Sequence, residues 1–351
     1  MKPVLKSLYG KISSVMGLVV LLAILTAGCA PATPVIAPAS EATSTQVNST
    51  EPNYTGKKIL YINSYNKGYA WSDDIESALH EGLDNTGVEL KIIDLDTKRN
   101  PAEAFAIEAC LKAKAELEAF KPDVLIVSED NVQKYLVVPY LKETNLPVVF
   151  VGINWDASAY GYPTSNITGM LEVELQGQLT DILKQYAKGS RVGYVTIDTE
   201  TERKGVDIIN NRFFNGEMKI YWAKTQEEFK TAFIAAQQEV DILFLGNNAG
   251  SSDKWDEAGM KQFILNNTTI PTGAVRDWMA PYVLVTLAKS GTEQGEWAAQ
   301  TALRILDGTP VSEIPVVENR KGNLILNLGI ADKLGVVFAP SLLKNATVLD
   351  E

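Results

Sequence analysis

From Lys57 onward, short runs of apolar, largely β-branched residues alternate with longer stretches whose apolar positions recur every three or four residues. The runs are Lys58-Ile-Leu-Tyr-Ile62, Leu90-Lys-Ile-Ile-Asp94, Asp123-Val-Leu-Ile-Val127 and Pro147-Val-Val-Phe-Val151. They continue with Arg191-Val-Gly-Tyr-Val-Thr-Ile197, Lys219-Ile-Tyr-Trp222, Asp241-Ile-Leu-Phe-Leu245 and Thr272-Gly-Ala-Val275. Most are nearly continuous in apolarity, which predicts parallel strands buried on both faces with helical crossovers between them. The helices carry start signals. Ser72 is expected to cap one, with Asp73 and Asp74 in its first turn and Ile75, Leu79 and Leu83 along one face. Asn100-Pro101 reads as a cap and first-turn proline, and Thr225-Gln-Glu-Glu228 as a capping box ahead of Phe229, Ala232 and Phe233. This alternation gives an α/β fold of open, doubly wound sheets with right-handed crossovers.

The pattern runs twice. One set spans residues 57–160, and a second, opening with a helix over Glu174–Lys188, reaches about residue 275. The segment Asn154–Asn166 is rich in Gly, Pro, Ser and Tyr and reads as a crossing between two lobes. Two further helices, over Pro281–Ser290 and Glu293–Leu306, are expected to return to the first lobe. The tail, with Leu324-Ile-Leu-Asn-Leu and Ala331-Asp-Lys-Leu-Gly335, is expected to complete the second. The expected boundaries are 57–160 plus about 277–312 for lobe 1, and about 161–276 plus 313–345 for lobe 2. These are two Rossmann-like lobes joined by a hinge.

The first 56 residues follow different rules. Lys2, Lys6 and Lys11 precede the apolar run Val15–Leu25, about 16 Å of helix and about half a bilayer's hydrocarbon thickness. That is the form of a signal peptide over residues 1–28. Leu25-Thr-Ala-Gly-Cys29 resembles a bacterial lipobox, with Thr26 where Leu is commonest, and makes Cys29 the expected lipidation site. Residues 30–56 are mostly Ala, Pro, Ser, Thr, Asn and Glu, too polar to form a core, and are expected to tether the body to a membrane. With Cys29 committed to lipid, Cys110 has no disulfide partner and reads as a small buried hydrophobe.

Tyr61-Ile-Asn-Ser-Tyr65 with Gly68-Tyr-Ala-Trp-Ser-Asp73 resembles the opening of the ABC-transporter substrate-binding proteins that include tryptophan and tyrosine receptors. The resemblance continues through Lys134–Tyr140, Pro147–Trp155, Asn166-Ile-Thr-Gly-Met170 and Gly308–Pro315, and covers roughly residues 57–340. It implies a type I periplasmic-binding fold, a small organic ligand (an amino acid is one candidate) between the lobes, and an importer's permease and ATPase as partners. It also implies an extracytoplasmic location, with Cys29 as the membrane anchor and the body a monomer. A second reading from the resemblance is a sensor that hands its closed form to a membrane signalling partner; a third is an envelope scaffold.

In doubly wound sheets ligands sit beyond the carboxyl ends of strands. Those positions hold Asn63, Ser64 and Tyr65, then Trp71; Ser128, Glu129 and Asn131; Asn154 and Trp155; Asp198; Asn247; and Arg276 with Asp277. Amides, hydroxyls and aromatics suit a polar ligand with an apolar part. Alternatives stand beside several of them. Ser128 and Asn131 also suit helix caps, Asn63 and Ser64 suit turn amides, and Trp71 and Trp155 suit hinge packing. Arg276 is placed either to grip a carboxylate with two parallel bonds or to pair with Asp277, which could itself receive an ammonium.

Enzymatic signatures are missing from the sequence. His80 is the single histidine and falls in a helix; there is no Gly-x-Ser-x-Gly elbow, P-loop or Gly-x-Gly-x-x-Gly. The adjacent pair Glu129-Asp130 is weak as an acid–base couple, because neighbouring carboxylates on one loop point apart. No catalytic residue, metal site or cofactor is expected, and a net charge of −11 argues against nucleic acid.

Overall fold

The computed structural model describes residues 53–350; the expected signal segment, Cys29 and most of the tether lie outside the described residues. The body begins earlier than the composition suggests. Tyr54 is buried, its N–H donates to Thr86 O and its hydroxyl to Asp307 Oδ1 at 2.9 Å, so residues 53–56 belong to the packed structure.

Two sheets form. The first contains β1 (Lys58–Asn63), β2 (Glu89–Asp94), β3 (Val124–Ser128), β4 (Val148–Asn154), β5 (Ile167–Glu172) and, from far along the chain, β11 (Val317–Glu318). Its order is β11-β5-β4-β3-β1-β2, parallel throughout. The second contains β6 (Val192–Ile197), β7 (Lys219–Ala223), β8 (Ile242–Leu245), β9 (Thr272–Ala274), β10 (Val285–Lys289), β12 (Gly322–Asn327) and β13 (Ala346–Leu349). Its order is β13-β12-β10-β9-β8-β6-β7, with β12 antiparallel to β10. α4 (Gln176–Lys184), α5 (Glu200–Phe214), α6 (Gln226–Gln237), α7 (Glu257–Asn267), α9 (Leu328–Leu334) and α10 (Pro340–Leu343) belong to this second half.

The continuous apolar runs are explained by burial on both sides. Along β1, β3 and β4 successive side chains point to opposite faces. Ile59, Tyr61, Val124, Ile126, Val149 and Val151 meet α1 (Ala70–Leu83) and α8 (Gly291–Leu306). Leu60, Ile62, Leu125, Val127, Val148 and Phe150 meet α2 (Glu103–Phe120) and the segment after β3, where one turn, α3 (Asp130–Val132), runs into a π-helix over Gln133–Leu141. Cys110 is free and fully buried on this second face.

α8 is built from small residues where it crosses α1. A Cβ on Gly295 would lie 2.4 Å from Ile75 O, and one on Gly291 2.5 Å from Trp71 O, so the two backbones nearly touch. The buried Gln294 on the same helix accepts from Gly152 N–H at 3.1 Å and donates to Leu171 O, fixing α8 against β4 and β5.

The chain passes between the halves three times: after β5, between β10 and α8, and between β11 and β12. Side chains bind the three crossings together. Lys289, ending β10, reaches Glu172 Oε1 at 2.5 Å and Glu174 Oε1 at 3.1 Å on the first crossing. Asn319 Oδ1 accepts from Val173 N–H at 2.6 Å, and both carboxylate oxygens of Glu293 accept backbone N–H groups of Arg320 and Lys321.

Several sequence expectations are corrected. Residues 167–172 form β5 of the first sheet, so the lobes part after Glu172 rather than near residue 160. The segment expected as a helix over 281–290 is a 3-10 turn, Asp277–Tyr282, followed by β10 in the second sheet. Only α8 of the two expected returning helices covers the first lobe, and β11, beyond residue 313, joins it. Ser72 lies within α1 and donates to Asn63 Oδ1 instead of capping, because α1 already starts at Ala70. Asn100 turns back to Asp96, and α2 starts at Glu103 without a side-chain cap. Thr225 does cap α6, accepting Glu228 N–H at 3.1 Å.

Gly295→Ala is expected to lower stability by about 1–3 kcal/mol through overpacking of α1 on α8. A shift of the urea midpoint at unchanged slope checks this; an unchanged midpoint contradicts the close packing.

Candidate functional site

The sequence-flagged strand ends divide into those that support the chain and those that face the junction of the lobes. Asn63, Ser64 and Ser128 form a closed polar knot. Asn63 Oδ1 accepts from Tyr65 N–H, Ser72 Oγ and Ser128 Oγ, while its amide donates to Asp94 at 2.8 Å. Ser64 Oγ donates to Ser128 O at 2.6 Å and accepts Val132 N–H. All three are buried, and their polar atoms are used in joining β1 to β3. Asn131 is likewise engaged, donating to Thr97 Oγ1 at 2.8 Å.

Tyr65, Trp71 and Glu129 come together. Trp71 Nε1–H donates to Glu129 Oε1 at 2.7 Å, and the Tyr65 hydroxyl hydrogen-bonds the same carboxylate. Glu129 is 3% exposed and adopts φ +70°, a left-handed conformation unusual for its type. Gly152 makes room for it: a Cβ there would lie 2.4 Å from Glu129 Oε1. Beside Tyr65 stands Tyr69, edge-on at 5.4 Å, with the Lys98 ammonium over both rings at 4.5 and 4.8 Å.

Three ionisable residues absent from the sequence-based set extend this group: Glu172, Glu174 and Lys289. Burial pushes the Glu129 carboxyl well above the usual range, and the nearby charge of Glu172 adds to the shift, against the bonds from Trp71 and Tyr65. Glu172 is also raised, mainly by burial, with Lys289 working against it. Burial disfavours the Lys289 charge, yet Glu174 and Glu172 outweigh it and raise its pKa. A second oxygen of Glu174 is buried without a partner.

On the second lobe Arg276 pairs with Glu202 at 2.8 Å, not with Asp277, and a hydrogen bond to Tyr194 holds it as well. Glu202 also accepts Thr196 Oγ1 at 2.8 Å. Asp277 is exposed and accepts Trp278 N–H, leaving the Trp278 ring 54% exposed. Asp198 is held by Arg203 through two bonds of 2.6 and 2.7 Å, which lower its pKa. Asn247 accepts Ala249 N–H within its turn. Asn154 is exposed at the end of β4, and Trp155 packs on α5.

The charges of Glu172 and Glu174 act together on Lys289, and that of Glu174 reaches Tyr194 and Arg276. A polar path thus runs from Trp71 and Glu129 on the first lobe, along the first crossing, to Arg276 and Glu202 on the second. Two depressions lie elsewhere. One of about 330 Å³ involves Arg203 and Trp222, and one of about 510 Å³ lies between β2 and α2. Neither includes a member of this path.

The sequence did hold a signal for the missed residues. Leu171-Glu-Val-Glu174 places two carboxylates at the end of an apolar strand, and Ala288-Lys289 ends another. Reading 281–290 as a helix concealed the second.

Glu129→Gln keeps an acceptor for Trp71 and removes the titration. Because the folded carboxyl binds its proton more tightly than the unfolded one, its contribution is full below about pH 4.3 and is lost as pH rises through the folded value. The variant's melting temperature should therefore gain on the parent's as pH rises above about 4.3. Parallel curves would show that Glu129 does not titrate abnormally.

Comparison with known proteins gives consistent findings. A family model described as "ABC transporter substrate binding protein" matches residues 71–349. No curated protein matches. The ligand-free, open structure of CD0873 from Clostridium difficile, a substrate-binding protein with adhesive properties, is similar at TM-score 0.62 and 15% identity, covering 84% of this chain and 99% of that one. A conserved domain protein from Vibrio cholerae aligns at TM-score 0.50 and 15% identity, with the same coverage. At such identity these likenesses speak to fold alone, and the fold is the type I periplasmic-binding arrangement of two doubly wound lobes with three crossings.

Proposed function

We propose, taking as premise that this chain belongs to the ABC transporter substrate-binding protein family, that it is the extracytoplasmic, lipid-anchored solute-binding component of an importer. Its ligand is a small organic molecule held between the lobes. The observation that carries this reading is the polar path through Trp71, Glu129, Glu172, Lys289 and Arg276, which lies where the strand ends of both lobes meet the crossings. Buried, perturbed ionisable groups clustered in this way mark a candidate binding site.

Closure follows from this arrangement. A ligand touching Trp71 and Tyr65 on one lobe and the surroundings of Arg276 and Trp278 on the other has extra contacts only when the lobes approach. Its binding therefore shifts the population toward the closed form. The closed form is what a permease recognises. The anchor is supported by the lipobox-like Leu25–Cys29, and the family is one of solute binders, from which absence of catalysis is inferred.

The test is a thermal-shift panel of amino acids, amines, purines, sugars and small carboxylates, followed by calorimetry. A ligand at a hundred times its Kd adds about 2.7 kcal/mol of stability. Trp71→Ala and Glu172→Gln are each expected to weaken a confirmed ligand tenfold or more, about 1.4 kcal/mol. A ligand whose affinity ignores both substitutions would move the site elsewhere.

A further inference from the structure

Beside the three crossings, the lobes also meet through side chains around Trp155. Trp155, directly after β4, leaves the first lobe at φ +62°, a conformation that a bulky side chain rarely adopts. Its N–H donates to Glu172 O at 3.0 Å, which ties it to the last residue before the first crossing. Its ring packs on the second lobe: Phe213 of α5 lies 6.5 Å away, centroid to centroid, and the Arg212 guanidinium 5.7 Å over the indole. Arg212 then returns to the first lobe and binds Glu318 at 2.5 Å, the last residue of β11 before the third crossing.

The energetics separate the parts of this contact. The Arg212–Glu318 pair is more than a third exposed at both partners, so alone it contributes little. The indole against Phe213 and the guanidinium carries more, since aromatic and cation–π contacts add to what area burial alone contributes. α5 extends the connection. It is 15 residues long, about 22 Å, with Glu202 and its partner Arg276 near one end and Arg212 with Phe213 near the other. A rigid helix thus joins the Trp155 contact to the second lobe's share of the polar path.

We infer that Trp155, with Arg212, Phe213 and Glu318, is the pivot on which the lobes turn, and that it sets their resting angle rather than touching ligand. Trp155 and Arg212 are positioning residues. Removing either leaves the lobes held by the three crossings and the side-chain ties along them, widens the range of angles in the free protein, and makes closing onto any ligand entropically more costly.

The inference rests on the receptor reading for its binding arm only; small-angle scattering of the ligand-free full chain is independent of it. Trp155→Ala and Arg212→Ala are each expected to raise the radius of gyration and broaden the distance distribution, and the double variant to do no more than either alone. Arg212→Lys, which keeps charge but loses the planar stack, should act in the same direction, more weakly. Circular dichroism identifies any variant that fails to fold, and Trp155→Phe then stands in for Trp155→Ala. In calorimetry the expected result is a common loss, about three- to tenfold, for every ligand that binds, with their ranking unchanged. A changed ranking with Trp155→Ala but not with Arg212→Ala would make Trp155 a ligand contact and overturn the inference. Unaltered scattering curves would overturn it too. If no compound of any class binds, the receptor reading fails, and the scattering result decides the pivot by itself.

Discussion

The Lys289 ammonium is the interaction on which the two halves depend. It ends a strand of the second sheet, yet its carboxylate partners are the last residue of β5, Glu172, and Glu174 at the start of the crossing that leaves the first. A lysine so enclosed is tolerable only when paired, and two carboxylates so close together are tolerable only with a cation between them. Each charge is therefore a condition for the others. Around that requirement stand the hydrogen bonds from Asn319 and the Glu293 carboxylate, which fix the third crossing to the first and to the start of α8. Geometry at the hinge is set by hydrogen bonds and charge, while the lobes on either side are set by apolar packing.

That division explains what could be read from the chain. Strands β1, β3, β4, β6 and β8 are buried on both faces, and their apolar runs announce them without any knowledge of neighbours. The run Val283-Leu-Val-Thr-Leu287 did not, because a short apolar stretch after Pro281 fits a helix start as well as a strand. Its Val and Thr content, which favours strand, was the better guide. β5 was missed for a related reason: Thr168 and Gly169 interrupt its apolar run, and Gly169 is needed where Phe150 would otherwise collide with a Cβ.

The candidate site was legible only in half. Polar residues after strands β1 and β3 were visible, but position alone could not separate Ser64, whose hydroxyl is used by the backbone, from Tyr65, which turns to Glu129. Glu172, Glu174 and Lys289 draw their importance from each other across more than a hundred residues of sequence. No local pattern encodes such a pairing. Arg276 illustrates the same limit: its nearest acidic neighbour in sequence is Asp277, and its partner in space is Glu202.

The route of the chain has a consequence for synthesis. β1, β3 and β4 appear early, but their Tyr61, Ile126 and Val149 face is covered by α1 together with the late helix α8, and the strand that closes the edge beyond β5 is β11. A chain emerging from its amino end at about 5–20 residues per second carries that apolar face only partly covered until residue 306 has followed. The first lobe to appear thus waits for β11 before its sheet is complete, and neither lobe can be cut out as one continuous stretch.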